Sequence, residues 1–232
     1  MAARCALRKR NVPVARTLRP AGRGDSGSTG ICFACVTTTE EKALPRMALR
    51  GKGRRPLEDE LALRFPMLAT RLNAWLTRLT LRMPRRWRLR QLLFEYSAWR
   101  AFNAIGRGDV DLLRTTNHPE VIYDLSRWGW PEASIYHGRD GLVRFNKEWI
   151  GQWIEPTLDV VCVEELDEPG ALLVHLDLRG VGRLSGVEVE MPIFELVKLR
   201  GGLVWRTIFF RDHAEAVAAA RAPDVWREPT RV

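Results

Sequence analysis

Residues 158–179 read LDVVCVEELDEPGALLVHLDLR, and the rhythm of this stretch decides the fold class. Its second half alternates strictly: Leu172, Val174, Leu176 and Leu178 fall on one face of an extended chain, and His175, Asp177 and Arg179 on the other. The two halves meet at Asp167-Glu168-Pro169-Gly170, a turn sequence, so residues 158–166 and 171–179 are expected to pair as a hairpin. Toward the C-terminus the period of two continues. Residues 180–186 form a bend and 187–199 a long strand. Arg200-Gly201-Gly202 turns the chain into a last strand at 203–211, before a closing helix at 214–221.

Toward the N-terminus, before Pro156, the period is about 3.6. Residues 89–105 read as a helix with Leu92 or Leu93, Tyr96, Trp99 or Arg100, and Asn103 along one side. Gly106-Arg107-Gly108-Asp109 ends it, with glycine as C-cap and Asp109 placed to cap a short helix at 110–115. A first strand is expected at 121–124 and a Trp-rich loop at 127–134. A helix at 141–153 follows, capped by Asp140, with Leu142, Phe145 and Trp149 facing inward. Helices followed by a meander of long strands mark an α+β domain spanning residues 86–220, with 221–232 as a tail.

Upstream, apolar residues recur at spacings of three and four: Leu61, Phe65, Leu68, Leu72, Trp75 or Leu76, and Leu79. Arg64, Arg71, Arg78 and Arg82 run along a common flank. Pro66 interrupts the pattern, so the helix within this 57–83 segment is expected from Met67. It packs on the domain or on a partner subunit, or lies as a basic amphipathic helix on a membrane surface; the first is favoured.

The chain has 232 residues, 46% of them hydrophobic, and a formal charge of +9. That charge is lopsided. Residues 1–90 hold 21 basic and 6 acidic side chains, and the remainder 16 and 22. The basic character therefore belongs to the N-terminal part, and contact of the arm with nucleic acid or membrane is not the favoured reading of the whole. Residues 1–56 lack sustained periodicity and read as a disordered basic extension. Their composition fits a transit peptide, an upstream extension ahead of a start at Met47 or Met67, or an interaction arm. Cys32-Phe33-Ala34-Cys35 has metal or redox spacing but no second pair. Cys162 is expected as a buried free thiol. With no disulfide framework and no run of about 18 apolar residues, a reducing, cytoplasmic setting is expected.

Several phrases carry a family likeness. The helix leading into Gly108-Asp109-Val110-Asp111-Leu112-Leu113, then His118-Pro119-Glu120-Val121-Ile122-Tyr123-Asp124, resembles the opening of the SnoaL-like branch of the nuclear transport factor 2-like superfamily. Tyr136-His137-Gly138-Arg139-Asp140-Gly141 resembles the step into that family's third helix, and Gly201-Gly202-Leu203-Val204-Trp205-Arg206 its final hairpin. The likeness covers about 135 residues by the motif order. It implies a cone-shaped, curved antiparallel sheet wrapped around N-terminal helices, a cystatin-like α+β barrel. Such folds enclose a cavity that serves isomerases, cyclases, dehydratases and epoxide hydrolases, and also proteins without catalysis.

By that resemblance Asp124 stands where ketosteroid isomerases carry a general-base aspartate, and Tyr96 lies on the helix that carries their tyrosine. A carboxylate shielded by apolar walls is a suitable base, because desolvation moves its basicity toward neutral pH; the alternative is that Asp124 holds the 126–128 turn. His175, Asp177 and Arg179 could orient a water or bind an anion, or form a cross-strand ladder with Glu188 or Glu190. Asp124, Arg179 or Arg206, and Asp177 could together make a water-activating set as in the family's epoxide hydrolases. Trp99, Trp128, Trp130 and Tyr136 are candidates to stack on a flat ligand, or to fill the core or a dimer surface. No metal-ligand spacing, phosphate loop or dinucleotide fingerprint is visible, so neither metal nor cofactor is expected. The expected partners are a small apolar or ring-containing ligand and a second copy of the chain in a homodimer. The expected activity is cofactor-independent isomerisation, cyclisation or hydrolysis, or non-catalytic ligand binding or dimerisation.

Overall fold

A computed structural model describes residues 55–129, 135–222 and 224–227. Six helices run in chain order: α1 (Leu57–Arg64), α2 (Pro66–Arg82), α3 (Arg88–Arg107), α4 (Val110–Thr116), α5 (Gly138–Gly151) and α6 (His213–Ala220). Six strands form one sheet: β1 (Asn117–Asp124), β2 (Ile135–His137), β3 (Trp153–Glu165), β4 (Ala171–Gly182), β5 (Glu188–Arg200) and β6 (Leu203–Phe210). Their order across the sheet is β2-β1-β6-β5-β4-β3. The sheet is curved and open, with β2 and β3 as its edges.

The expected meander of long strands is present, with β3–β4, β4–β5 and β5–β6 all antiparallel. One pairing departs from the all-antiparallel expectation: β1 runs parallel to β6, with Tyr123 opposite Thr207 and Asp124 opposite Ile208. The crossover through β2, α5 and the meander brings the chain back in the same direction. The hairpin at 167–170 forms, with Gly170 at φ 71. β3 begins earlier than expected, at Trp153, because Pro156 is absorbed rather than excluded. The pairing slips between Ile154 and Thr157, and Glu155 takes φ 50. An irregularity of this kind lets a strand carry a residue that cannot donate to the ladder.

Pro66 does not end the upstream helical pattern; it divides it. α1 stops at Arg64, and Pro66 begins α2 at its first position, where a missing N–H costs nothing. Both helices pack on the domain. Asp59 of α1 is almost wholly buried and is held by Arg100 and Arg107 of α3, each at 2.7 Å. Arg107 also pairs with Asp109 at 2.8 Å, and Arg55 joins the same carboxylate. Asp109 thus stands at the helix N-terminus but spends its side chain on arginines rather than on a cap. Burial works against its ionisation, yet Arg55 and Arg107 outweigh that and hold its acid strength above the ordinary value. Asp140, likewise expected as a cap, lies inside the first turn of α5, and His137 takes the cap position.

The sheet has a buried layer on each side. On the inner side Val121, Tyr123, Leu125, Val174, Leu176, Ile193, Val197 and Phe209 pack with α3, α4 and α5. On the outer side Leu173, Phe194, Leu196, Ile208 and Phe210 are covered by α6 and by Val225. Val225, with Ala222 and Trp226 packed beside it, therefore belongs to the core. Cys162, on edge strand β3, is disulfide-bonded, which corrects the expectation of a free thiol; the other three cysteines lie outside the described residues. No helix among the described residues is long and apolar enough to cross a membrane.

Candidate functional site

The inner face of the sheet and helices α2–α5 enclose a cavity of about 360 Å³, within the range of small-molecule sites. Its walls are mostly apolar and aromatic, including Phe94, Phe102, Leu112, Trp128, Phe145, Trp149, Leu176 and Phe209. Leu76 and Leu79 of α2 and Tyr96 and Ser97 of α3 line it and are also exposed, so its mouth lies between these two helices.

One carboxylate lines the described walls, that of Glu195. Period two in β5 sends Ile193, Glu195 and Val197 inward and Phe194 and Leu196 outward under α6. Glu195 is only 5% exposed, and among the described residues its Oε2 has no hydrogen-bond partner. Desolvation raises its acid to about 8; the nearby Thr207 hydroxyl favours the charged form too weakly to offset burial. Around neutral pH this group is therefore mostly a neutral carboxylic acid, a donor as well as an acceptor. Tyr123 lines the same space. Its hydroxyl donates to Asn117 Oδ1 at 3.1 Å, and burial, reinforced by the charge of Glu195, pushes its ionisation upward. Glu195, Tyr123 and Asn117 thus put polar groups in an apolar chamber. Among the described residues no group of three or more His, Cys, Asp or Glu is placed to hold a metal ion.

No protein-family profile matches the chain, and no curated protein matches it in sequence. Solved structures do resemble it. A protein described as a SnoaL-like polyketide cyclase from Jannaschia sp. CCS1 is 20% identical, over 57% of this chain and 94% of that one, with a TM-score of 0.44. A protein with a ketosteroid isomerase-like fold from Catenulispora acidiphila, in complex with trimethylamine, is 12% identical over 58% and 97% of the two chains, with a TM-score of 0.42. One described as a polyketide cyclase from Xanthomonas campestris is 19% identical over 53% and 93%, with a TM-score of 0.41. The chain has an α+β fold in which helices pack on one curved, open six-stranded sheet.

Within this fold the residues singled out from sequence are scattered. Tyr96 and Trp128 line the cavity. The Tyr96 hydroxyl, however, sits at the rim, donates to Glu58 of α1 and stacks on Trp99 with ring centres 5.9 Å apart. Burial, then the bond to Glu58, raises its ionisation to about 12. Trp99 is not among the lining residues. Tyr136 is wholly buried beside the chamber and donates to Glu148 at 2.5 Å. Trp130 lies outside the described residues.

The expectation of a pocket-facing base at Asp124 is corrected. On β1 the inward residues are Val121 and Tyr123, followed by Leu125 just past the strand, so Asp124 points to the outer face. There it accepts bonds from Ser126 N at 3.1 Å and Ser126 Oγ at 2.6 Å and pairs with Arg206 at 3.3 Å. Arg206 also donates to the carbonyl of Arg227. His175, Asp177 and Arg179 occupy the outer face of β4, away from the cavity. His175 stacks on Phe194 at 4.6 Å, and its Nε2 is 3.7 Å from Asp177, beyond hydrogen-bond reach. Burial holds the imidazole below its ordinary value, with Asp177 opposing and His213 adding. Arg179 pairs with Glu190 at 3.1 Å, the cross-strand ladder weighed from sequence. Asp124, Arg206, Asp177 and Arg179 therefore do not meet around a water in the cavity.

Sequence reasoning missed Glu195. The signal was there: a single acid inside Met191-Pro192-Ile193-Phe194-Glu195-Leu196-Val197, a run whose apolar residues on both faces mark a doubly covered strand.

Proposed function

We propose that this protein binds a small apolar or ring-containing molecule bearing one polar oxygen, and that Glu195 addresses that oxygen. The observation behind this reading is the buried Oε2 of Glu195, without a partner among the described residues, in a mostly apolar cavity. A buried polar atom without a partner is costly unless something supplies one. A ligand carbonyl, ether or hydroxyl oxygen accepting the Glu195 proton would do so. An acid near neutrality is also matched to proton transfer, which favours cofactor-independent isomerisation, cyclisation or hydrolysis with Glu195 in the role first considered for Asp124. The alternative is ligand binding without turnover. It draws support from Tyr123, whose hydroxyl is already engaged with Asn117 and so offers Glu195 no ready relay.

Trp128 and Trp149 line the cavity and report on its occupancy. Titration of the full chain with naphthol, followed by tryptophan emission, should saturate. Glu195→Gln should change the affinity and Asp124→Asn should not. The reverse pattern would place the site on the outer face, and no binding by any of the three proteins would contradict the reading.

A further inference from the structure

Residues 61–90 hold eight arginines and no Asp or Glu. Within this stretch α2 is turned opposite to a helix that serves its own core. Its buried residues are Ala74 and Thr80. Its large apolar side chains face out: Leu68, Leu72, Trp75, Leu76 and Leu79 are all exposed, Leu72 by 50% and Trp75 by 55%. The backbone explains how a small face can hold the helix. Gly202, at φ 86 in the β5–β6 turn, lies so close that a Cβ there would meet the Ala74 carbonyl oxygen at 2.3 Å. A polar helix face normally points to water and an apolar one to the core; here a contiguous apolar stripe with exposed Arg71, Arg78 and Arg82 along its length is left uncovered by the described residues.

We infer that this face of α2 docks on an anionic lipid bilayer, and that the cavity takes its apolar ligand from that bilayer; the second part rests on the ligand-binding reading above. An apolar stripe edged by arginines matches the layered chemistry of such a surface, acyl chains beneath anionic headgroups. A second copy docked symmetrically on the same face would set arginines against arginines, with no acid in residues 61–90 to offset them. The cavity mouth adds a separate argument. Leu76 and Leu79 belong both to the exposed stripe and to the cavity lining, and Tyr96 and Ser97 complete the rim from α3. A molecule leaving the bilayer at α2 would pass into the chamber without crossing water.

The full chain should float with vesicles of phosphatidylglycerol and phosphatidylcholine in equal parts, and weakly with phosphatidylcholine alone. Leu72 and Trp75 do not line the cavity, so Leu72→Ser/Trp75→Ser leaves the chamber intact. It should lower partitioning by more than about ten-fold, while naphthol binding in solution stays as in the wild type. Each of Arg71→Ser and Arg78→Ser should lower it about five-fold. Undiminished flotation of the double-serine variant would overturn the inference, because the basic residues before Leu57 would then carry the attachment. A wild-type dimer in sedimentation that the same substitutions dissociate, with no flotation by either protein, would assign the face to a second copy and also overturn it. Flotation that depends on Leu72 and Trp75, with naphthol bound by neither protein, would overturn the ligand route and the reading beneath it while leaving the docking face.

Discussion

Tyr123 and Asp124 are consecutive on β1 and serve opposite sides of the sheet: the Tyr123 ring stands in the cavity against Phe145 and Phe209, and the Asp124 carboxylate lies on the outer face at 3.3 Å from Arg206. A single step along a strand reverses the side chain. That step decides which acid faces the cavity: Glu195, on β5, two strands from β1 across β6.

Asp124→Asn tests the outer assignment. It weakens the pair with the buried Arg206 guanidinium and one acceptor of the Ser126 turn, so it should cost about 1–3 kcal/mol of stability in denaturant unfolding. Naphthol affinity should remain that of the wild type. An unchanged stability with lost binding would argue for a pocket-facing Asp124.

Burial raises the Glu195 acid from its ordinary 4.5 to about 8. Between those values the folded chain keeps a proton that the unfolded chain has released. Stability from this group is therefore full below 4.5, falls as pH rises through the window, and levels off above about 8. Glutamine has no such proton. Glu195→Gln should gain stability relative to wild type across this range, by on the order of a few kcal/mol, in urea unfolding at a series of pH values. A parallel pH dependence for the two proteins would mean that Glu195 is solvated.

Asp59 is the anchor of α1. Its carboxylate is buried between Arg100 and Arg107, and Asp59→Ala would leave two part-buried guanidinium groups without it. The expected loss is about 3–5 kcal/mol, with amide exchange of α1 accelerated ahead of the sheet. Exchange that rises uniformly would show that α1 and the domain unfold together.

Gly202 fixes α2 to the β5–β6 turn. Gly202→Ala combines a left-handed backbone with a Cβ at 2.3 Å from the Ala74 carbonyl. It should cost about 1–3 kcal/mol from the backbone conformation alone and more from the displaced helix. Thermal unfolding reads the sum. A neutral substitution would place α2 farther from the turn.

Much of the fold was legible because period two is robust over long strands. The hairpin at 167–170 and the Gly201–Gly202 turn follow from residues with specific backbone habits, and the alternation of Leu172 to Leu178 against His175 to Arg179 holds in β4. Strand pairing partners were less legible. Nothing in residues 117–124 says that they lie parallel to β6, since that contact depends on how the sheet closes over α5. The site was least legible for the same reason. His175 and Asp124 look catalytic because they are polar within apolar strands, yet which face looks inward depends on where α6 sits. α6 covers Phe194, Leu196 and Ile208, and so defines the side holding His175 and Asp124 as the outside. Glu195 was legible as an anomaly in an apolar run, but its role required knowing which side holds the chamber.

The central claim is that a neutral carboxylic acid at Glu195 recognises the ligand in the cavity. The pH dependence of naphthol binding tests it most directly. For the wild type the affinity should be level from mildly acid to neutral pH and weaken as pH passes about 8, where Glu195 ionises; for Glu195→Gln it should be level throughout. A wild-type profile that stays level across that range, or the same weakening in Glu195→Gln, would contradict it.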